Sequence, residues 1–438
     1  MADSEKEEFL VESEDNEAKQ QERNENLKST IKETTARRKT NLLQWMEITV
    51  SEPEKRSGIS MKMQETFTVY LIETRVTDPN MKGYTEDTTS AWRRYSEFEL
   101  LRNYLEITYP AVVVPPLPEK KATYVWQKSG RDNFDPDFVE RRRAGLEIFL
   151  LRLAAHSTLS QDQIFQTFLK KEDGWKDMVY STDFQNKADS KLKALSASFR
   201  LKKPDRRFDE LKNYSNELQS NILSLLKIRA RLADRLYAIH KVHGNYARVL
   251  NEWSSIDKDI ADPLQGAAHY MDVFANNVDG ILDEEEQYAD QLKEYLGFGD
   301  SLRFVCKKQE CLQYDLERVE DSLSYKASQK EMLLQGKTGG FSLSSVKTKL
   351  FGSDTPEQRD QKIKQLEEQI ALNEEELKTI TAETQKFVEL ALRDIDRFER
   401  QKVKDLKEIF TNFAIMQIKQ CKKGIAIWTS AKDCFGKM

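Results

Sequence analysis

Histidine and cysteine are scarce here, four of each in 438 residues. The cysteines Cys306, Cys311, Cys421 and Cys434 show no metal-ligand spacing, which argues against a structural zinc and leaves reduced thiols as the expected state. His240 and His243 share one helical face, but no cysteine or carboxylate cluster joins them, so no metal site is expected. No apolar run approaches the ~20 residues that cross a bilayer. Met1 to Gln20 is acidic without an apolar core, and no secretory signal is read there. No serine, cysteine or carboxylate stands in a recognisable nucleophile setting. Gly336-Lys337-Thr338 has the tail of a phosphate loop, yet Glu331 stands where its first glycine is needed. The chain is therefore expected to be no enzyme and to hold no cofactor. Hydrophobic residues make up 39% of it and charged residues 33%, against a usual apolar share of about 45–50%. That shortfall points to long solvated helices rather than a thick core. A net charge of −5 gives no bulk attraction to anionic lipid, so any such attraction has to come from local basic patches.

Residues 1–41 are rich in Glu, Lys, Asn and Gln, too polar to offset chain entropy by burial, and are predicted to be disordered. Strand signals follow at Leu42–Val50, at Glu65–Thr74, and in a third run ending on Trp92 and Arg94. In the second, Phe67, Val69 and Leu71 alternate with Thr66, Thr68 and Tyr70. Helical periodicity marks Glu97–Ile107, Phe138–Leu153 and Gln161–Leu169. Together these predict an α+β module over 42–173, a three-stranded antiparallel sheet backed by helices. Residues 174–204 read as a linker, in which Phe184, Ala188, Leu192, Leu195 and Phe199 form a stripe flanked by lysines. Such a segment either lies in a bilayer interface or packs as a linker helix.

From about residue 205 to 438 the pattern becomes all-α. Three long helical stretches are predicted, at about Phe208–Ile256, Leu264–Leu334 and Pro356–Ala431. Bends are expected at Gly280 and at Gly297-Phe298-Gly299, and a polar tip at Gly336–Thr355. In the third stretch Ile363, Leu366, Ile370, Leu377, Ile380, Phe387 and Leu390 recur at threes, fours and sevens, a coiled-coil seam. At ~1.5 Å per residue such helices approach ~110 Å, and one chain cannot bury them alone.

The densest chemical signal is Arg93-Arg94-Tyr95-Ser96-Glu97-Phe98, followed by Val114-Pro115-Pro116-Leu117-Pro118-Glu119-Lys120. Paired guanidinium groups, an aromatic face and a lysine on a proline-stiffened loop suit a phosphorylated sugar. A third basic cluster, Glu140-Arg141-Arg142-Arg143, opens an apolar helix. Taken singly, Arg-Arg-Tyr occurs by chance and Pro-Pro-Leu-Pro reads equally as a polyproline ligand.

Together these motifs resemble the phox-homology (PX) domain of the sorting nexins. The long helices resemble the BAR domain of the PX-BAR sorting nexins, through Arg229–Leu236, Lys241–Tyr246, Gln287–Leu296 and Gln417–Met438. The resemblance implies a PX domain followed by a BAR domain of three long antiparallel helices that dimerises. It implies a phosphatidylinositol 3-phosphate pocket in which Arg94 grips the 3-phosphate and Tyr95 stacks under the ring. Ser96 adds a polar contact, Lys120 meets the 1-phosphate, and Arg142 bonds the 4- and 5-hydroxyls. Arg93 alternates away from Arg94 on a strand and is expected at the surface or in a structural salt bridge. Membrane contacts are expected at Val125 and Trp126 after the lysine loop, with Trp126 covering the module's own core as the alternative, and at Arg231 and Arg235 among the bases of the first long helix. There Ile228, Leu232, Leu236 and Ile239 are expected to face a dimer core, with Arg229, Arg231, Arg235, Lys241 and Arg248 supplying an exposed basic side. Implied partners are the lipid, a second copy or a related nexin, and protein cargo, with no nucleic acid. The implied role is peripheral, on early and recycling endosomes, in protein sorting, recycling and autophagy. A rigid coiled-coil tether that uses PX only as an address is the alternative.

Overall fold

The structure, a computed structural model, describes residues 41–60, 63–77, 88–120, 135–184, 186–188, 200–335 and 356–437. Most of the acidic tail, the loop holding Val125 and Trp126, and the polar tip lie outside the described residues. The described residues divide into two compact units: those within 41–102, 117–120 and 135–183 form the first, and those within 103–116 and 184–437 the second.

In the first unit, β1 (Met46–Ser60), β2 (Met63–Val76) and β3 (Thr88–Arg94) form one antiparallel sheet in the order β1-β2-β3. A short 3-10 turn at Leu42–Gln44 precedes β1, with the Asn41 side chain accepting from the Leu43 N–H. The sequence placed the end of β1 at Val50, whereas the strand runs on to Ser60. A register shift between Ser51 and Glu54 takes up Glu52, at φ 46°, and Pro53, so the proline interrupts no ladder bond. Tyr70, expected on the polar side of β2, is fully buried, as is Ile72, and Val69 on the other face is buried too. The middle of β2 is covered on both faces, and there period-two alternation stops being informative.

The helices are α1 (Tyr95–Thr108), α2 (Pro136–Ala155), α3 (Gln163–Lys170) and α4 (Trp175–Ser181). Asp135 caps α2 by accepting from the N–H groups of Asp137 and Phe138, and Pro136 fills the first helical position. Phe98 meets Phe149 and Phe168 edge-on at 6.4 and 5.2 Å, and Phe168 meets Trp175 at 4.9 Å. These aromatic contacts knit α1, α2, α3 and α4 together.

The second unit is built on α5 (Arg206–Ile256), α6 (Ala261–Leu334) and α7 (Pro356–Phe435). Neighbours run antiparallel: the Ser215 hydroxyl donates to the Gly299 carbonyl at 2.8 Å, and the Tyr295 hydroxyl to Asp405 at 2.7 Å. Tyr295, Phe298, Leu302, Phe387, Ile395 and Phe398 are among the core side chains, and Ala111 and Val113 of residues 103–116 join them. α6 is one continuous helix from Ala261 to Leu334, unbroken at Gly280 and at Gly297-Phe298-Gly299. Two of its glycines serve close approach. A Cβ on Gly297 would stand 2.5 Å from Pro116, and one on Gly299 would stand 2.5 Å from Gln219. Ahead of α5, the N–H groups of Lys202 and Lys203 donate to Glu317 at 2.8 and 2.9 Å. Of the predicted amphipathic stripe, Phe184 is buried and Ala188 half-buried; Leu192, Leu195 and Phe199 lie outside the described residues.

Candidate functional site

Strand alternation sends the two adjacent arginines to opposite sides. Arg93 is 1% exposed, so the expectation of a surface or salt-bridged residue is corrected. Its guanidinium donates to the main-chain carbonyls of Phe168 at 2.8 Å, Glu172 at 3.0 Å and Lys171, and lies 4.7 Å over the Phe168 ring. These are the orphan carbonyls at the C-terminus of α3 and just beyond it, so Arg93 is a helix cap supplied by a strand. Burial pulls its pKa below the ordinary arginine value, against the nearby Glu97 and Glu172.

Arg94 ends β3 exposed. Its main-chain N–H donates to Glu97 at 2.9 Å, one half of a capping box that starts α1. Its guanidinium lies 5.4 Å over the Phe67 ring and bonds no acceptor among the described residues. Tyr95, the first residue of α1, donates its hydroxyl to the Pro118 carbonyl at 2.6 Å, and burial raises its pKa. Two further cations flank its ring, Arg142 at 5.6 Å and Lys120 at 6.0 Å. Lys120 pairs with Glu99 at 2.7 Å on the exposed rim.

Arg142, buried on α2, donates Nε–H to the Tyr70 hydroxyl at 2.7 Å and Nη1–H to the Lys120 carbonyl at 3.3 Å. Both partners are neutral, and among the described residues no carboxylate touches its charge. An anion entering beside the Tyr95 ring would meet positive charge that no described carboxylate compensates. Tyr95, Lys120 and Arg142 are thus brought together, with Arg94 adjacent in the chain. Ser96 is exposed on the first turn of α1, and no hydrogen bond joins it to the others among the described residues.

Two supporting residues escaped the sequence reading. One is Tyr70. The other is Gly145 on α2, where a Cβ would stand 2.6 Å from Pro118. A glycine inside a helix costs ~1 kcal/mol relative to alanine and was a readable signal of close packing.

On α5, Ile228, Leu232, Ile239, Val242, Tyr246, Val249 and Trp253 are each at least 41% exposed. Their steps alternate four and three once Arg235, also exposed, fills the interval between Leu232 and Ile239. On α7, Ile418, Cys421, Ile425, Trp428, Lys432 and Phe435 repeat the same steps and are exposed too. Heptad seams of this length, exposed among the described residues, have the pattern by which helices meet in coiled coils. Arg235 therefore stands within an apolar seam, whereas Arg231 is exposed at its flank.

Arg229 does not join the exposed bases; it is buried, donating to Glu286 at 2.6 Å and to Glu285 at 3.4 Å. Gln417 of α7 donates to Glu285 at 3.1 Å. Burial raises the Glu285 pKa, although Arg229 pulls the other way. A further layer of α5–α7 has His243 between Phe274 at 4.6 Å and Trp428 at 5.8 Å, with the His240 ring nitrogen 2.9 Å from the Ala275 carbonyl.

A small sheet with a basic pocket, in one chain with three long antiparallel helices carrying exposed seams, defines a PX module followed by a BAR-type helical domain. A family profile described as "PX domain" matches residues 81–172, and one described as "FAM92 protein" matches 245–437. Sorting nexin-4 of Bos taurus is 58% identical over 397 residues, 90% of this chain and 88% of that protein. Sorting nexin-4 of Homo sapiens is 57% identical over the same shares, and that of Saccharomyces cerevisiae 26% identical over 89% of this chain and 93% of its own. The chain belongs to the sorting nexins of the PX-BAR class. A cryo-EM structure of the SNX-BAR Mvp1 tetramer shares the fold, with a TM-score of 0.52 at 18% identity over 88% of this chain and 99% of that one. As a sorting nexin the protein is a peripheral, membrane-associated sorting protein. No described helix is long and apolar enough to cross a membrane.

Proposed function

We propose that the first unit binds phosphatidylinositol 3-phosphate and that the second pairs with another copy to sense or shape membrane curvature, without enzymatic activity. The observation that carries this reading is the clustering of Arg142 and Lys120 around the Tyr95 ring, with no carboxylate on Arg142 and no acceptor on the Arg94 guanidinium among the described residues. Arg94 is assigned to the 3-phosphate, Lys120 to the 1-phosphate after release from Glu99, and Arg142 to the 4- and 5-hydroxyls. Tyr95 forms a ring floor held by Pro118. Ser96 and the loop residues Val125 and Trp126 remain proposed contacts of headgroup and bilayer.

The exposed seams of α5 and α7 support pairing with a second copy or a related nexin. Arg231 is proposed to face anionic lipid; Arg235 is proposed to do so only where the seam leaves it accessible. Weak headgroup and curvature contacts joined in one dimer reinforce each other through effective concentration. Early and recycling endosomes, cargo recycling and autophagy are the proposed setting, by likeness to the sorting nexins.

The test is flotation of the full chain with vesicles bearing the 3-phosphate lipid, beside light scattering of the free protein. Wild type should float and Arg94→Ala should not, while both scatter as dimers. Equal flotation of the two would refute the pocket. The rival reading, a tether addressed by its PX module, predicts flotation without tubulation of those vesicles.

A further inference from the structure

Arg142 is oriented before any ligand arrives, and the group that orients it is Tyr70. A guanidinium carries five N–H donors in a planar fork. The Nε–H is spent on the Tyr70 hydroxyl at 2.7 Å, and one Nη1–H points to the Lys120 carbonyl at 3.3 Å. The plane is packed further, 4.9 Å from the Phe138 ring and 5.6 Å from the Tyr95 ring. Tyr70 is itself fixed: it is 0% exposed and paired through β2 to Arg93 of β3. Burial raises its pKa, so the phenol stays neutral and holds Arg142 by a hydrogen bond that does not cancel its charge. Among the described residues the guanidinium keeps one Nη1–H and both Nη2–H groups unbonded and so open to a ligand.

We propose that Tyr70 is a specificity-determining positioning residue, locking Arg142 so that it serves inositol hydroxyls and cannot retreat to admit a further ring phosphate. This rests on the pocket reading above. A mobile arginine would swing its fork onto any phosphate in reach, because bidentate phosphate contacts outcompete contacts to hydroxyls. An arginine pinned at Nε cannot offer its Nε–Nη2 edge at all.

The test is isothermal titration of the full chain with short-chain phosphatidylinositol 3-phosphate and with the 3,5-bisphosphate. Wild type should prefer the monophosphate. Tyr70→Phe, which keeps the ring and removes the oxygen, should lose about tenfold for the monophosphate and less for the bisphosphate, narrowing the ratio. A ratio equal to wild type would overturn the proposal while the pocket reading stands. Failure of wild type to bind, or full binding by Arg94→Ala, would remove the pocket reading and this proposal with it. Should Tyr70→Phe melt early, the arginine Nε–H resonances of wild type decide the matter. The Arg142 signal should resist water exchange without ligand and barely move on titration; fast exchange or a large shift would overturn the locking role.

Discussion

Two adjacent arginines, one inside and one outside, should separate folding from binding when each is truncated. Arg93→Ala removes a buried guanidinium that bonds carbonyls at and just beyond the end of α3 and stacks on Phe168. Each lost bond to a charged donor is worth ~1.5–3 kcal/mol, the contributions are not additive, and the carbonyls left behind are partly dry, so a cost on the order of 4 kcal/mol is expected. For a unit of this size that lowers the melting temperature by roughly 8–16 °C. Arg94→Ala removes only an exposed side chain 5.4 Å over Phe67, and its stability cost should stay within ~0.5 kcal/mol. Its headgroup affinity should nonetheless fall roughly a hundredfold, the weight of a bidentate charge-assisted contact. Calorimetric melting and short-chain lipid titration on the full chain measure the two quantities side by side. A melting temperature unchanged in Arg93→Ala would refute the cap, and a large thermal loss in Arg94→Ala would refute the division of labour.

Gly145→Ala puts a Cβ 2.6 Å from Pro118. It should cost ~1–3 kcal/mol by overpacking and weaken the 3-phosphate and the 3,5-bisphosphate alike, since the whole lysine loop is displaced; the same titrations check this. Arg229→Ala leaves Glu285 buried without its cation and should cost ~3–5 kcal/mol of second-unit stability, whereas the double change Arg229→Met, Glu285→Leu should restore most of it in a urea melt. Burial lowers the His243 pKa, so the unfolded chain takes up that proton first as pH falls. The stability His243 contributes is therefore full above the unfolded-state value of ~6.5 and is lost as pH drops through the lower folded-state value. His243→Phe, which keeps a ring between Phe274 and Trp428, should flatten that acid-side loss in melts taken across the range.

Local patterns carried most of the fold. The helical stretches were legible because their apolar period is long; the caps that open them, Asp135 with Pro136 at α2 and Asp205 at α5, are seen in the fold. The candidate site was legible because Arg94, Tyr95 and Lys120 lie in two short motifs whose residue types suit a phosphorylated sugar. What the chain order could not carry was decided by packing between distant segments. Arg229 and Arg231 are indistinguishable as letters, yet one meets Glu285 and Glu286 across the bundle and the other meets solvent. Gly297 and Gly299 read as bends because glycine weakens a helix; that they also let Pro116 and Gln219 press close is visible only in the fold. Tyr70 read as a polar-face residue because alternation assumes one covered side, and β2 is covered on both. Sequence alone thus indicated most of the helices, which strands pair and which groups suit a phosphate, but not α4, which falls in the span read as a linker. Tertiary structure decided which charges are buried, which seams stay open for a second helix, and which way Arg142 points, because burial and orientation depend on neighbours far away in the chain.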